Sequence, residues 1–143
     1  MILLDTHAWT RWLHPELGPT LTPEVRCWIE ESEDTLAVSV ISCLEISQLV
    51  KKGVLILPLP LPKWFDLALD HAGIVCLPVN PRLLHASVEL PQIHKDPADR
   101  IIIATAQHYD AWLVTRDETI PKYPNLRTIW NFAPQPSHPS QPT

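Results

Sequence analysis

The sequence predicts an α/β fold: a central parallel sheet of four to five strands with helices on both faces. Three observations carry this. Short apolar runs recur along the chain, segments with helix-start and helix-stop residues lie between them, and carboxylates fall where runs end. Strands that alternate with helices form parallel sheets, because each crossover lays a helix back on the sheet.

Ile2–Leu4 is an apolar run stopped at once by Asp5, the pattern of a strand buried on both faces. Leu36–Val40 is the second run and follows the polar stretch Glu30–Thr35. Ile74–Leu77 is the third, introduced by Gly73 and stopped by Pro78. Trp112–Thr115 is the fourth, and Leu126–Trp130 a short fifth. Between them, Thr22-Pro23-Glu24 supplies a cap, a proline at the first helical position and an acid in the first turn, opening a helix to about Ser32. Ser42–Lys52 ends at Gly53, a natural C-terminal stop. Leu61–His71 carries Pro62 in its first turn. Asn80-Pro81 opens a helix that Pro91 closes. Asp96-Pro97-Ala98-Asp99 starts the last one, with Asp96 as cap and Asp99 at the positive end of the dipole, running to about Tyr109.

The 143 residues fit one domain. That domain is expected over 1–132. From Ala133 to Thr143 proline, serine and glutamine dominate, too little apolar surface to offset ordering, so a disordered tail is expected there. No targeting segment is visible, and no apolar run approaches the roughly 20 residues that span a bilayer. Cys27, Cys43 and Cys76 form no zinc pattern and are expected to be reduced packing residues of a cytoplasmic protein. The seven histidines show no metal spacing and receive no metal role. Trp9, Trp28, Trp64, Trp112 and Trp130 are expected in the core or an interface, with Trp12 the most exposed.

The net charge of −5 argues against a protein that holds nucleic acid by bulk electrostatics, so a nuclease of this charge needs a metal and a local basic patch. The carboxylates are more informative. Asp5 ends the first strand and Asp117 lies just past the fourth, and ligands of open parallel sheets bind beyond the carboxyl ends of strands. Asp117 taken alone reads equally well as a turn residue. Glu45 shares a helix row with Ile41 and Leu49, inside an apolar stripe. A carboxylate there must be paired or coordinate a metal. A structural ion pair with Lys51, Lys52 or Arg82 is the alternative. Carboxylates without histidine or cysteine partners suit a hard cation, Mg²⁺ or Mn²⁺. Such ions activate water and stabilise the leaving oxygen in phosphoryl displacement. Thr6 and Thr115 are placed to orient water or a carboxylate, or simply to bond their own backbone. Arg100 and Arg116 adjoin two of the acids and are candidates for gripping phosphates or buffering the carboxylate cluster, Arg100 equally for a surface ion pair.

Four blocks carry a resemblance. Leu4-Asp5-Thr6-His7-Ala8-Trp9, then Val38-Ser39-Val40-Ile41-Ser42-Cys43-Leu44-Glu45-Ile46, then His94-Lys95-Asp96-Pro97-Ala98-Asp99-Arg100-Ile101-Ile102-Ile103-Ala104, then Val114-Thr115-Arg116-Asp117 resemble the PIN-domain toxins called VapC, in order from Ile2 to Trp130. The resemblance implies a PIN-like three-layer α/β/α sandwich and Mg²⁺- or Mn²⁺-dependent endonucleolytic cleavage of RNA, usually tRNA or ribosomal RNA. It implies a homodimer and a cognate antitoxin that covers the active site and binds the operon's DNA, so that DNA is met only indirectly. It implies a metal site made of Asp5, Glu45 and Asp99, with Asp117 as the fourth acid. Two departures from the pattern stand out: Thr10-Arg11-Trp12 is more polar than usual, and Ile120 stands where an aromatic residue is common.

Other readings fare worse. An aspartate-nucleophile phosphatase needs a second aspartate where His7 stands. A non-catalytic, receiver-like metal-binding module gives no reason for Glu45 in an apolar stripe. A PIN scaffold that only binds protein should have lost an acid, and none is lost.

Overall fold

The computed structural model describes residues 1–132. The expected tail of residues 133–143 lies outside them. The elements follow one another as β1 (Ile2–Leu4), α1 (Thr6–Leu13), α2 (Pro23–Glu31), β2 (Leu36–Ser39), α3 (Val40–Lys51), α4 (Leu61–Phe65), β3 (Val75–Leu77), α5 (Pro81–Glu89), α6 (Pro97–Tyr109), β4 (Trp112–Val114) and β5 (Arg127–Ile129). Short 3₁₀ turns span Pro15–Leu17 and Ile120–Lys122, and a π-helical segment, Asp66–His71, continues α4.

All five strands are parallel, in the order β3-β2-β1-β4-β5. The fifth strand is therefore real. The pleat divides the core in two. Ile2, Leu4, Val38 and Val114 face Ala8 and Trp9 of α1, Val25 and Ile29 of α2, Ile46 of α3 and Trp64 of α4. Leu3, Ala37 and Leu113 face Ile102, Ile103 and Ala106 of α6. Helical layers thus cover both sheet faces, and β1, buried throughout, sits at the centre.

The first connections carry the chain from β1 outward to β2 and β3, and the later ones bring it back to β4 on the other side of β1. The winding reverses between β1 and β4. A crevice opens at such a point, beyond the carboxyl ends of the strands. Asp5 leaves β1 there, with its N–H bonded to Val114 O at 3.1 Å.

Several details differ from the sequence reading. α1 starts directly from β1, capped by the Asp5 carboxylate on Ala8 N at 2.8 Å. No proline or glycine marks its start in the sequence. α3 begins at Val40, because Ser39 both ends β2 and caps the helix through Ile41 N. The expected helix Leu61–His71 changes to π winding after Phe65, where Ala68 O accepts a bond from Trp9 Nε1 at 3.2 Å. Trp9 and Trp64 are fully buried. Trp12 is half-buried, with the Arg26 guanidinium 4.4 Å from its ring centre. Cys27 is exposed rather than packed, while burial beside Cys76 pushes the Cys43 thiol up to about 12. Among the described residues no helix is long and apolar enough to cross a membrane.

Candidate active site

An open cleft of about 870 Å³ occupies the crevice. Asp5, Thr6, Glu45, Asp96, Asp99, Thr115, Arg116 and Asp117 all line it. Residues from β1, α3, α6 and the loop after β4 converge here because their helices start, or their strands end, at the same edge of the sheet.

Asp5 is buried, and burial raises its carboxyl above the usual range, with a smaller push from Asp117. The Thr115 hydroxyl and the Ala8 N–H pull it partly back. Glu45 is also raised, first by burial and then by Asp96, against a bond from Thr6. Thr6 Oγ1 donates to Glu45 Oε1 at 2.5 Å and lies 2.9 Å from Ser42 Oγ. Thr6 thus meets Glu45 side chain to side chain. No lysine or arginine pairs with Glu45 among the described residues, which removes the structural ion pair as the reason for its position. Asp99 is pushed up to about 7, by burial and then by Asp96, Glu45 and Asp5, with His94 opposing. Burial also works to raise Asp117, but bonds from His94, Thr119 N and Ile120 N outweigh it and hold that carboxyl below its ordinary value. Asp117 Oδ1 accepts from Thr119 N at 2.7 Å. It is thus a turn former and a wall of the cleft at once.

Two side chains that the sequence reading set aside belong to the site. Asp96 caps α6 through Ala98 N at 2.9 Å, as expected. Its carboxylate also joins Glu45 and Asp99, the ligand atoms of the three lying within 4.8 Å of one another. His94 forms a second such group with Asp99 and Asp117. Neither group includes Asp5, which stands in the cleft wall with Oδ1 engaged as the α1 cap. A signal was available: His94, Asp96 and Asp99 fall within six residues around a helix start, where the turn must bring them together.

Arg100 does not fit the expected role of meeting RNA phosphates. It is buried, and its guanidinium donates to Val88 O, Leu90 O, Pro91 O, His94 O and Tyr123 Oη. Its planar fork of donors gathers carbonyls that no strand or helix satisfies. Arg116 is exposed on the rim. Arg11 lines the cleft as well, its guanidinium lying so close over Gly18 that a Cβ there would meet it at 2.9 Å.

The donor set fits a hard divalent cation. Oxygen ligands from Glu45, Asp96 and Asp99 converge, and no protein cation pairs with Asp5, Glu45 or Asp96 among the described residues. Raised carboxyls in a crevice mark groups that lack a counter-charge.

Comparison with known proteins agrees with this geometry. The family model described as PIN domain matches residues 2–126. The chain is 30% identical to ribonuclease VapC22 of Mycobacterium tuberculosis (strain ATCC 25618 / H37Rv) over 132 residues, covering 90% of this chain and 98% of that protein. A toxin-antitoxin complex from Klebsiella pneumoniae contains a similar chain, with TM-score 0.63 and 21% identity, over 92% of this chain and all of the other (100%). The crystal structure of VapBC2 from Rickettsia felis, bound to a DNA fragment from its promoter, matches with TM-score 0.67 and 18% identity, again over 92% and 100%. With strand order, acidic crevice and family match in agreement, the chain belongs to the PIN-domain family and, within it, to the VapC proteins.

Proposed function

We propose that this protein is a divalent-metal-dependent endoribonuclease, the toxin of a toxin–antitoxin pair. The observation that carries the reading is the convergence of raised carboxylates, with no lysine or arginine paired to them among the described residues, at the point where the sheet winding reverses. The relative named ribonuclease VapC22 supports the reaction class.

Asp5, Glu45, Asp99 and Asp117, which line one cleft, would hold Mg²⁺ or Mn²⁺, with Asp96 adding its carboxylate beside Glu45 and Asp99. A cation bound there supplies Lewis-acid polarisation of a phosphate and a more acidic water. Thr6 keeps Glu45 in one orientation through its 2.5 Å bond. The Thr115 hydroxyl opposes the rise of the Asp5 carboxyl and so favours its charged form at the strand end. Asp99, pushed up to about 7 by burial and its acidic neighbours, is the carboxylate whose charge a bound cation would most favour. Arg11 and Arg116 supply the local positive charge that an acidic chain needs to approach RNA phosphates.

The expected substrate is a structured RNA, tRNA or ribosomal RNA. The expected partners are a cognate antitoxin, through which the pair meets DNA, and a second copy of the chain. Structural neighbours described as toxin-antitoxin complexes support the former. Exposed Leu84 and Val88 on α5, beside a cavity of about 410 Å³, offer apolar surface for the latter. The test is cleavage of a mixed RNA pool by purified protein in Mn²⁺, with EDTA as control. Cleavage in metal alone supports the reading, and intact RNA under both conditions contradicts it.

A further inference from the structure

The cleft has two chemically different halves. Its carboxylates come from residues 5–118, whereas Thr128–Phe132, at the end of β5 and just beyond it, contribute none. β5 is an edge strand, two strand spacings from β1, roughly 10 Å. That distance is comparable with the reach from a phosphate to the far edge of its own base. A nucleotide whose phosphate meets the acids can therefore lay its base against the β5 exit.

This exit is a fixed wall. Ile129 O accepts from Thr115 N at 3.1 Å, which sets the strand end beside the loop that carries Asp117. Asn131 O accepts from Thr22 Oγ1 at 2.9 Å, and the same hydroxyl caps α2 by accepting from Val25 N at 3.3 Å. Trp130, between these anchors, packs against the core and also lines the cleft. Asn131 and Phe132 are exposed on the anchored backbone, Phe132 to 76%. A single exposed phenylalanine is ordinary on a protein surface. This one lines the cleft, together with Arg11 and Arg116. An unpaired base stacks on an aromatic face whatever its identity. An amide beside it offers both a donor and acceptors to the base edge, which is how bases are told apart.

Resting on the ribonuclease reading above, we propose that Asn131 and Phe132 form a base subsite of the cleft: Phe132 stacks on an unpaired base next to the scissile phosphate, and Asn131 reads its edge. Both are specificity-determining residues, away from the reacting atoms. The occupant is single-stranded RNA rather than a protein segment, because the wall is continuous with the acids and shares its cleft with two arginines suited to phosphates.

The test uses the full-length protein in Mn²⁺ and short single-stranded oligoribonucleotides carrying a fluorescent aminopurine at successive positions. Stacking quenches this base, and stopped flow reads the quench before cleavage. Wild type and Phe132→Tyr are expected to quench it at one position next to the cut, and Phe132→Ala is expected not to. Phe132→Ala is also expected to raise KM about 5-fold or more, the loss that one base–aromatic stack gives, with kcat changing less. Asn131→Ala is expected to relax the preference among bases at that position. Quench and KM left unmoved by Phe132→Ala overturn the stacking role, as they must if the ring meets only a protein partner. An unchanged base preference in Asn131→Ala overturns the reading role. RNA cut equally well by Phe132→Ala sinks only the subsite. RNA bound and quenched but never cut sinks the ribonuclease reading and leaves the subsite, and RNA neither bound nor cut sinks both.

Discussion

Asp99 faces Asp96, Glu45 and Asp5 and has only His94 in opposition, so the cost of assembling this cleft is concentrated on it. Its carboxyl rises from 3.8 to about 7, and Asp5 and Glu45 shift in the same direction. The folded protein therefore holds more protons than the unfolded chain between those values. The stability of the metal-free protein should be full below about pH 4 as far as these groups are concerned, and should fall as pH rises towards about 7. Added Mg²⁺ or Mn²⁺ should restore it, since a ligand of the native state alone stabilises that state. Thermal melts in EDTA across this range check the sign, and a melting temperature that climbs from pH 4 to 7 would contradict it. Glu45→Gln keeps the shape and removes one repelling charge. It should raise the melting temperature in EDTA near pH 8 by a few degrees and shrink the gain on adding metal. A lowered melting temperature in EDTA would mean that the charge of Glu45 is structurally required. Asp5→Asn and Asp99→Asn should leave circular dichroism unchanged and reduce cleavage at least ~100-fold, since each removes charge that holds or faces the cation. A variant that cleaves like wild type would remove that residue from the site.

At the scale of elements, the stretch from the last turn of α5 to His94 has no ladder of its own, and Arg100 substitutes for one. Replacing it with alanine leaves several carbonyls without a partner, each costing about 1–3 kcal/mol if buried. Arg100→Ala should destabilise by several kcal/mol, and Arg100→Lys should recover little, because an ammonium cannot span the same fan of carbonyls. Urea unfolding of both variants checks this; a loss under about 1 kcal/mol would refute the clamp. The same elements show how far the sequence could be read. The strands were legible because short apolar runs bounded by glycine, proline or carboxylates leave few alternatives. α2, α5 and α6 were legible because Thr22, Asn80 and Asp96 each precede a proline. α1 was not delimited, since Asp5 serves as strand end, cap and acid at once. The π winding at Asp66–His71, where Ala68 O accepts from the distant Trp9 indole, is marked by no local pattern. Among the acids, Glu45 betrayed itself by lying in an apolar row. His94 and Asp96 did not, because a cap and a lone histidine already have ordinary explanations. Arg100 was misread because its neighbour in sequence is an acid, whereas its guanidinium turns the other way, into backbone.

For the whole molecule, the sheet order places every site residue at one edge of the β1–β4 junction, within the described residues. The family match ends at residue 126, and the cleft lining ends at Phe132. A chain truncated before Ala133 should therefore fold and cleave like the full one, which a side-by-side RNA cleavage assay checks. Loss of activity with retained folding would give the tail a role that the cleft does not predict. The net charge of −5 further predicts that Arg11→Ala together with Arg116→Ala weakens RNA binding and flattens its salt dependence, without altering Mn²⁺ binding. Above these stands the claim that the acidic crevice hydrolyses RNA with a divalent cation. The most direct measurement is cleavage of a mixed RNA pool by wild type and Asp99→Asn, each in Mn²⁺ and in EDTA. The account predicts fragments only from wild type in Mn²⁺; equal cleavage by Asp99→Asn, cleavage that persists in EDTA, or intact RNA in every sample would contradict it.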